Sequence, residues 1–154
     1  VNVYVFDTSV WIDLFRGYPP DLFPGLWARI DAAIASGQLV SPHEVLVELD
    51  NGNDAIAPIL KAKAGLFAPL DTALQAEVTS VLARCPTLVD AGATRDKADP
   101  YVVALAVLRS ATVVTGEKPA KPNAARMKIP DACAASGVTA LDLFAFLRAE
   151  GWRL

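Results

Sequence analysis

Val3-Tyr4-Val5-Phe6, followed by Asp7-Thr8-Ser9, is the stretch on which the fold turns. Four apolar residues without alternation are the pattern of a strand buried on both faces. A strand is covered on both faces most simply in a parallel sheet, where crossover helices lie on either side. The run stops at three residues that can each cap a helix, after which Val10, Trp11 and Leu14 recur at helical spacing.

Working outward, Pro19-Pro20 breaks the chain, and an amphipathic helix is expected from Asp21 through Leu22, Leu26, Trp27, Ile30 and Ile34 to Gly37. A brief strand at Leu39-Val40 leads into Ser41-Pro42, which reads as a cap with proline in the first helical turn. The helix carrying Val45, Leu46 and Leu49 then ends at Asn51-Gly52. Two further helices are expected over 54–64 and 71–84, Gly65 ending the first and Asp71 capping the second. Asp99-Pro100 repeats the cap-then-proline signature and opens an apolar helix to Arg109. Ala111 to Thr115 reads as a strand, 116–126 as a loop rich in Lys, Pro and Asn, and Lys128-Ile129 as at most a stub of strand. Pro130 to Ser136 reads as a short helix, Val138 to Leu141 as the last strand, and Asp142 as the cap of a final helix closed by Gly151. The expected fold is therefore three-layer α/β/α, with a central parallel sheet of four to five short strands in a single domain spanning 1–154.

The 154 residues are 53% hydrophobic and 20% charged, which excludes a disordered chain. The longest apolar run, Tyr101 to Leu108, is too short to span a membrane, and no signal peptide is legible at the start. Cys85 and Cys133 form neither a disulfide framework nor a metal pair by spacing, so a reduced, soluble, cytoplasmic protein is expected. The net charge of −3 argues against a uniformly basic surface, but the charge is unevenly spread. Residues 1–83 hold 4 basic and 10 acidic side chains, whereas residues 84–128 hold 8 basic and 4 acidic. Carboxylates that hold cations beside lysines that hold an anionic polymer would give this division.

In a parallel sheet the carboxyl ends of the strands and the first turns of the helices that follow share one edge, where ligands bind. Asp7 follows the first strand, and Glu117 follows the Ala111–Thr115 strand. Asp99 begins the helix that precedes that strand, and Glu44 and Glu48 share a helix face at i and i+4. Asp131 opens the short helix and stays open between a cap and an auxiliary metal or water ligand. Converging carboxylates repel, and a bound cation or proton uptake relieves them. Hard oxygen donors suit Mg²⁺ or Mn²⁺ rather than zinc, and the usual chemistry of such a site is phosphate hydrolysis. With His43 alone, a two-histidine ribonuclease mechanism is excluded.

Val3–Val10 resembles the opening of PIN-domain ribonucleases, the fold of VapC-like toxins. Val45-Leu46-Val47-Glu48-Leu49 resembles that family's second motif, Ala98-Asp99-Pro100-Tyr101-Val102-Val103-Ala104 its third and Val113-Val114-Thr115-Gly116-Glu117 its fourth. The Thr-x-Glu form, followed by Lys128-Ile129-Pro130-Asp131-Ala132-Cys133, is similar to an uncharacterised PIN-like subgroup. The resemblance implies Asp7, Glu48, Asp99 and Glu117 as catalytic and metal residues, with Glu48 preferred to Glu44. It also implies a two-metal endoribonuclease leaving a 5′-phosphate and a 3′-hydroxyl, silenced by a cognate antitoxin. Two departures are that Glu117 stands where many relatives carry Asp, and that Asp96 competes with Asp99 for the third position.

Thr8, Ser9 and Thr115 are expected to hydrogen-bond the carboxylates, and Lys118, Lys121, Arg126 and Lys128 to contact RNA phosphates. A homodimer through apolar helix faces at 54–84 is a further expected partner. Competing readings are a catalytically inactive PIN-like module that binds RNA or protein, and an aspartyl-phosphate phosphatase built on Asp7. The second is disfavoured because such enzymes commonly carry an Asp where Ser9 stands.

Overall fold

The computed structural model describes residues 1–89 and 97–154. Among them the strands are β1 (Tyr4–Phe6), β2 (Leu39–Pro42), β3 (Phe67–Ala68), β4 (Thr112–Val114) and β5 (Ala140–Leu141). The helices are α1 (Thr8–Gly17), α2 (Pro24–Ala35), α3 (His43–Asn51), α4 (Ala57–Lys61), α5 (Thr72–Arg84), α6 (Asp99–Arg109), α7 (Ile129–Ala135) and α8 (Leu143–Ala149). The sheet order is β3-β2-β1-β4-β5 and every pairing is parallel, with Val5 opposite Val40 on one side and Val113 on the other. The expected α/β fold with a central parallel sheet is the one observed.

Tyr4, Val5 and Phe6 are all buried, as a strand covered on both faces requires. On one side Phe6 meets Trp11 of α1 at 5.1 Å between ring centroids and Phe146 of α8 at 5.1 Å, while Tyr4 meets Phe146 edge-on at 4.7 Å. Trp11 stacks on Trp27 of α2, extending this aromatic layer. α6 packs against β1, β2 and β4, and α5 and α7 pack with it. Its apolar residues Val102, Val103, Ala104, Leu105 and Ala106 are all buried. The strand order reverses its direction of growth between β1 and β4, and such a switch point opens a crevice at the carboxyl ends of the strands.

Several local expectations are corrected. Ser41-Pro42 belongs to β2 and caps nothing; α3 begins at His43 without a side-chain cap. The reason lies in the core, where the fully buried Ser41 hydroxyl donates to the Phe6 carbonyl at 2.6 Å and accepts from the Trp11 indole N–H at 3.0 Å. The helix expected from Asp21 starts at Pro24, leaving Leu22 exposed, and the helix expected over 54–64 contracts to α4. The fifth strand is β3, at Phe67–Ala68, whereas the anticipated stub at Lys128-Ile129 is the entry to α7. Asp71 and Asp142 do cap α5 and α8, accepting from Leu74 N and Ala145 N. α1 is capped by Asp7 itself, and Asp99 is the first residue of α6, whose cap position is Ala98. Asp96 lies outside the described residues. Among the described residues no helix is long and apolar enough to cross a membrane.

Replacing Ser41 by Ala removes the acceptor of a buried indole N–H and a donor to a buried carbonyl together. A loss of about 1–3 kcal/mol is expected from urea denaturation, with an unchanged m-value.

Candidate active site

Asp7 leaves β1 in an extended conformation and enters α1 as its N-cap, so its carboxylate stands at the switch point. Its side chain is 3% exposed. Oδ1 accepts from the Ser9 hydroxyl at 2.7 Å and from Val10 N at 3.1 Å, and Oδ2 accepts from the Thr115 hydroxyl at 2.6 Å. Those hydroxyls are engaged in turn: Ser9 Oγ accepts from Gly116 N at 2.9 Å and Thr115 Oγ1 from Glu117 N at 3.0 Å. The turn after β4 is thereby laced to the carboxylate after β1. Thr8 does not join: its Oγ1 is buried without a hydrogen-bond partner among the described residues, while Ser9, Val10 and Thr115 already occupy both Asp7 oxygens.

Gly116 lies close against two side chains of α1. A Cβ there would stand 2.9 Å from Asp13 Oδ2 and 3.1 Å from Ser9 Oγ. Asp13 thus adds an acidic group at the edge of the site. Its spacing of four residues from Ser9 on α1 is the sequence signal that could have shown it.

Glu48 on α3 and Glu117 after β4 are each tied to a backbone amide. Glu48 Oε2 accepts from Ala98 N at 2.7 Å, and Glu117 Oε2 accepts from Ile129 N at 2.8 Å. Both amides lie at helix starts, where backbone N–H groups lack helical partners and favour negative charge. Asp99 is half-buried beside this pair. Burial, and then the charges of Glu117, Glu48 and Asp7, push its carboxyl up to about 7, with Lys97 opposing. Asp7 is pushed up to about 6, mainly by burial, against the lowering effect of its hydrogen bonds. Burial, followed by the charge on Asp7, likewise pushes the Cys133 thiol up to about 12. Asp99 therefore feels the charges of the other three acids, and Asp7 that of Glu117. Among the described residues, however, no three His, Cys, Asp or Glu side chains are grouped so as to hold a metal ion.

Glu44, on the same helix as Glu48, is half-buried. Asp131 takes the capping role left open for it, its side chain accepting from the backbone of Lys128 at the start of α7, and it serves the loop as well. Its Oδ2 accepts from both Ala120 N at 3.0 Å and Lys128 N at 2.9 Å, fastening the 116–128 segment to the start of α7. Arg126 anchors the same loop through Leu88 O at 3.4 Å, and Met127 N donates to Thr87 Oγ1 at 3.2 Å. A cavity of about 480 Å³ is lined by Lys97, Asp99, Glu117, Arg126 and Lys128. A second, of about 690 Å³, lies under the loop, with Lys118 and Lys121 in its lining. Lys97 was not among the expected cationic contacts, although it sits two residues before Asp99 in the basic segment.

A carboxyl group harder to ionise in the folded than in the unfolded chain stabilises the fold below its unfolded value, and this stability is lost as pH rises through the folded value. For Asp7 that window runs from about pH 4 to above pH 6. In EDTA, Asp7→Asn is expected to melt higher than the wild type at pH 8. Calorimetric scans should show the advantage shrinking toward pH 5, where the wild-type carboxyl takes up its proton.

Comparison with known proteins gives a fold neighbour and a family. The structure is similar to that in "Crystal Structure of FitAcB from Neisseria gonorrhoeae", with a TM-score of 0.55 and 20% identity over 90% of this chain and 96% of that one. The likeness is one of fold, a five-stranded parallel sheet flanked by helices. No curated protein matches the chain. Residues 4–154 match a single family throughout, and the chain belongs to that family, described as Domain of unknown function (DUF4411).

Proposed function

We propose that this chain is a divalent-metal-dependent endoribonuclease, the toxin of a toxin–antitoxin pair, acting on RNA phosphodiesters with Mg²⁺ or Mn²⁺ held by Asp7, Glu48, Asp99 and Glu117. One observation carries the reading: hydrogen bonds lace the Asp7 carboxylate to the turn that bears Glu117 and Glu48 to the amide beside Asp99, so the charges of the other three acids fall on the half-buried Asp99. Such mutual repulsion is the condition that a bound cation relieves. The donor chemistry suits such an ion, since it consists of carboxylate oxygens and the chain's one histidine, His43, is exposed on α3, although among the described residues the acids do not stand grouped around one point. When bound, a divalent cation offsets charge on the phosphate and lowers the pKa of water.

The chain's own residues supply the remainder. Ser9 and Thr115 orient Asp7 through short hydroxyl donations, and Val10 N fixes the same carboxylate to the start of α1. The amides of Ala98 and Ile129 each engage one oxygen of Glu48 and Glu117 and fix those side chains along the sheet edge. Lys97, Arg126 and Lys128 line the cavity that contains Asp99 and Glu117, so phosphates flanking the scissile one meet positive charge there. Lys118 and Lys121 carry that charge onward along the loop. Such contacts position a strand without reading its sequence.

A cognate antitoxin is the proposed protein partner, supported by the VapC-like motifs and the shared PIN-like fold, and a homodimer is proposed as the assembled form. The proposed compartment is the cytoplasm, in keeping with free, buried Cys85 and Cys133. A second reading, a catalytically inactive PIN-like module binding RNA or protein, is favoured by one observation: no metal-holding group of three acids is formed among the described residues.

Labelled RNA incubated with Mg²⁺, Mn²⁺ or EDTA separates the two. Cleavage is expected only with metal, and Asp7→Asn or Asp99→Asn should lower kcat/KM by about 10²–10³-fold, the scale of several kcal/mol of lost charge stabilisation. Ser9→Ala, which removes a group orienting Asp7, should cost about tenfold in the same assay. Metal-independent cleavage, or full activity in Asp7→Asn, rejects the nuclease mechanism. No cleavage under any condition, with RNA still bound, establishes the module.

A further inference from the structure

A cavity of about 470 Å³ opens at the opposite edge of the sheet, where β1 and β2 begin and α2 and α8 end. Its size falls within the roughly 300–1,000 Å³ of sites that enclose small organic molecules. Arg29 of α2 and Glu150, at the end of α8, both line it, together with Ser36, Gln38 and Trp152. None of these residues belongs to the acidic crevice at the carboxyl ends of the strands.

Glu150 is fixed in a way that a solvated surface carboxylate is not. Its Oε2 accepts from the Tyr4 hydroxyl at 2.6 Å, and its Oε1 accepts from the Gln38 carboxamide at 2.7 Å. Tyr4 is 3% exposed, and burial, followed by the bond to Glu150, pushes its hydroxyl up to about 12, so it stays a donor. Both donors are neutral, and each carboxylate oxygen keeps a lone pair for one more. Trp152 is held edge-on against Phe146 at 5.2 Å between ring centroids, and its backbone amide donates to Leu147 O at 2.9 Å. Arg29 lines the same cavity without forming an ion pair with Glu150. α2 has no basic residue in its last turn, so the negative end of its dipole adds to the Glu150 charge.

We propose that this cavity binds a free α-amino acid, with its ammonium group on Glu150 and its carboxylate on Arg29. Opposite charges that line one cavity without meeting are complementary to a small molecule that carries both. An ammonium group supplies the charged donor that Glu150 lacks, and the neighbouring indole adds an aromatic surface that favours a cation. A guanidinium presents the two parallel donors that a carboxylate takes. A ligand with positive charge alone would be opposed by Arg29, and one with negative charge alone by Glu150. A contact that only fastened α8 to the sheet would need the Tyr4 and Gln38 bonds, but not a cavity with Arg29 in its lining.

The test is isothermal titration calorimetry of the whole chain at pH 7 with the common L-α-amino acids, each repeated as its N-acetyl and its C-amide derivative. At least one amino acid is expected to bind one to one with a Kd below about 1 mM. Removing either charge from that ligand should weaken binding at least about tenfold, the scale of one lost charged hydrogen bond. Arg29→Gln should weaken the amino acid by a similar factor and leave the affinity of its C-amide unchanged. Glu150→Gln should weaken it as well, while leaving the affinity of the N-acetyl form unchanged. Arg29 is exposed on α2, so its variant decides alone should Glu150→Gln not fold. No saturable binding by any amino acid overturns the site. So does an affinity indifferent to acetylation and amidation, or one that Arg29→Gln leaves at the wild-type value. RNA cleavage plays no part in the readout, so the result stands whether or not the chain is a nuclease.

Discussion

The buried carboxylate of Asp7 is the constraint around which the rest is arranged. A charge with 3% exposure is costly unless donors surround it, and three do: the Ser9 hydroxyl, the Val10 amide and the Thr115 hydroxyl. These donors come from the first turn of α1 and the end of β4, so satisfying one side chain also fixes how the two elements on either side of the switch point meet. Gly116 belongs to the same constraint, because a side chain there would displace the Asp13 carboxylate and press on the Ser9 hydroxyl that holds Asp7. Local geometry, sheet topology and electrostatics are joined at a single residue.

Burial and like charge then act against stability in a way the hydrogen bonds only partly offset. Asp7 and Asp99 are both harder to ionise than free carboxyls, and in each case desolvation is the first cause. Glu48 and Glu117 each accept a hydrogen bond from a backbone amide at the start of a helix. The hydrogen bonds these acids accept could also be met by neutral acceptors, which would avoid the repulsion. Their joint presence at the carboxyl edge of the sheet, next to a loop rich in lysine, is the arrangement from which the proposed division between cation-holding and anion-holding surfaces is drawn.

Much of this was legible in the sequence, for physical reasons that differ between residues. Tyr4–Phe6 announces a strand covered on both faces because burial on both sides removes alternation. Asp71 and Asp142 announce helix starts because their side chains satisfy amides that have no helical partner. Asp7 and Glu117 could be placed on one edge because the parallel arrangement puts all strand ends there. What stayed hidden depends on contacts distant in sequence. β3 has two residues, too few for any periodicity, and forms by pairing with β2. Ser41-Pro42 has the local signature of a cap, but the buried hydroxyl serves Trp11 and Phe6 instead. Nor does any local pattern reveal that Asp131 fastens Ala120, eleven residues before it, or that Glu48 binds the amide of Ala98.

The most direct measurement is anomalous diffraction from crystals soaked in Mn²⁺. The expected result is a Mn²⁺ peak among Asp7, Glu48, Asp99 and Glu117, with each glutamate keeping one oxygen on its backbone amide and turning the other to the ion. A map with no peak at the carboxyl ends of β1 and β4, or with Mn²⁺ bound only elsewhere, would contradict the assignment of these four acids to one metal-holding centre.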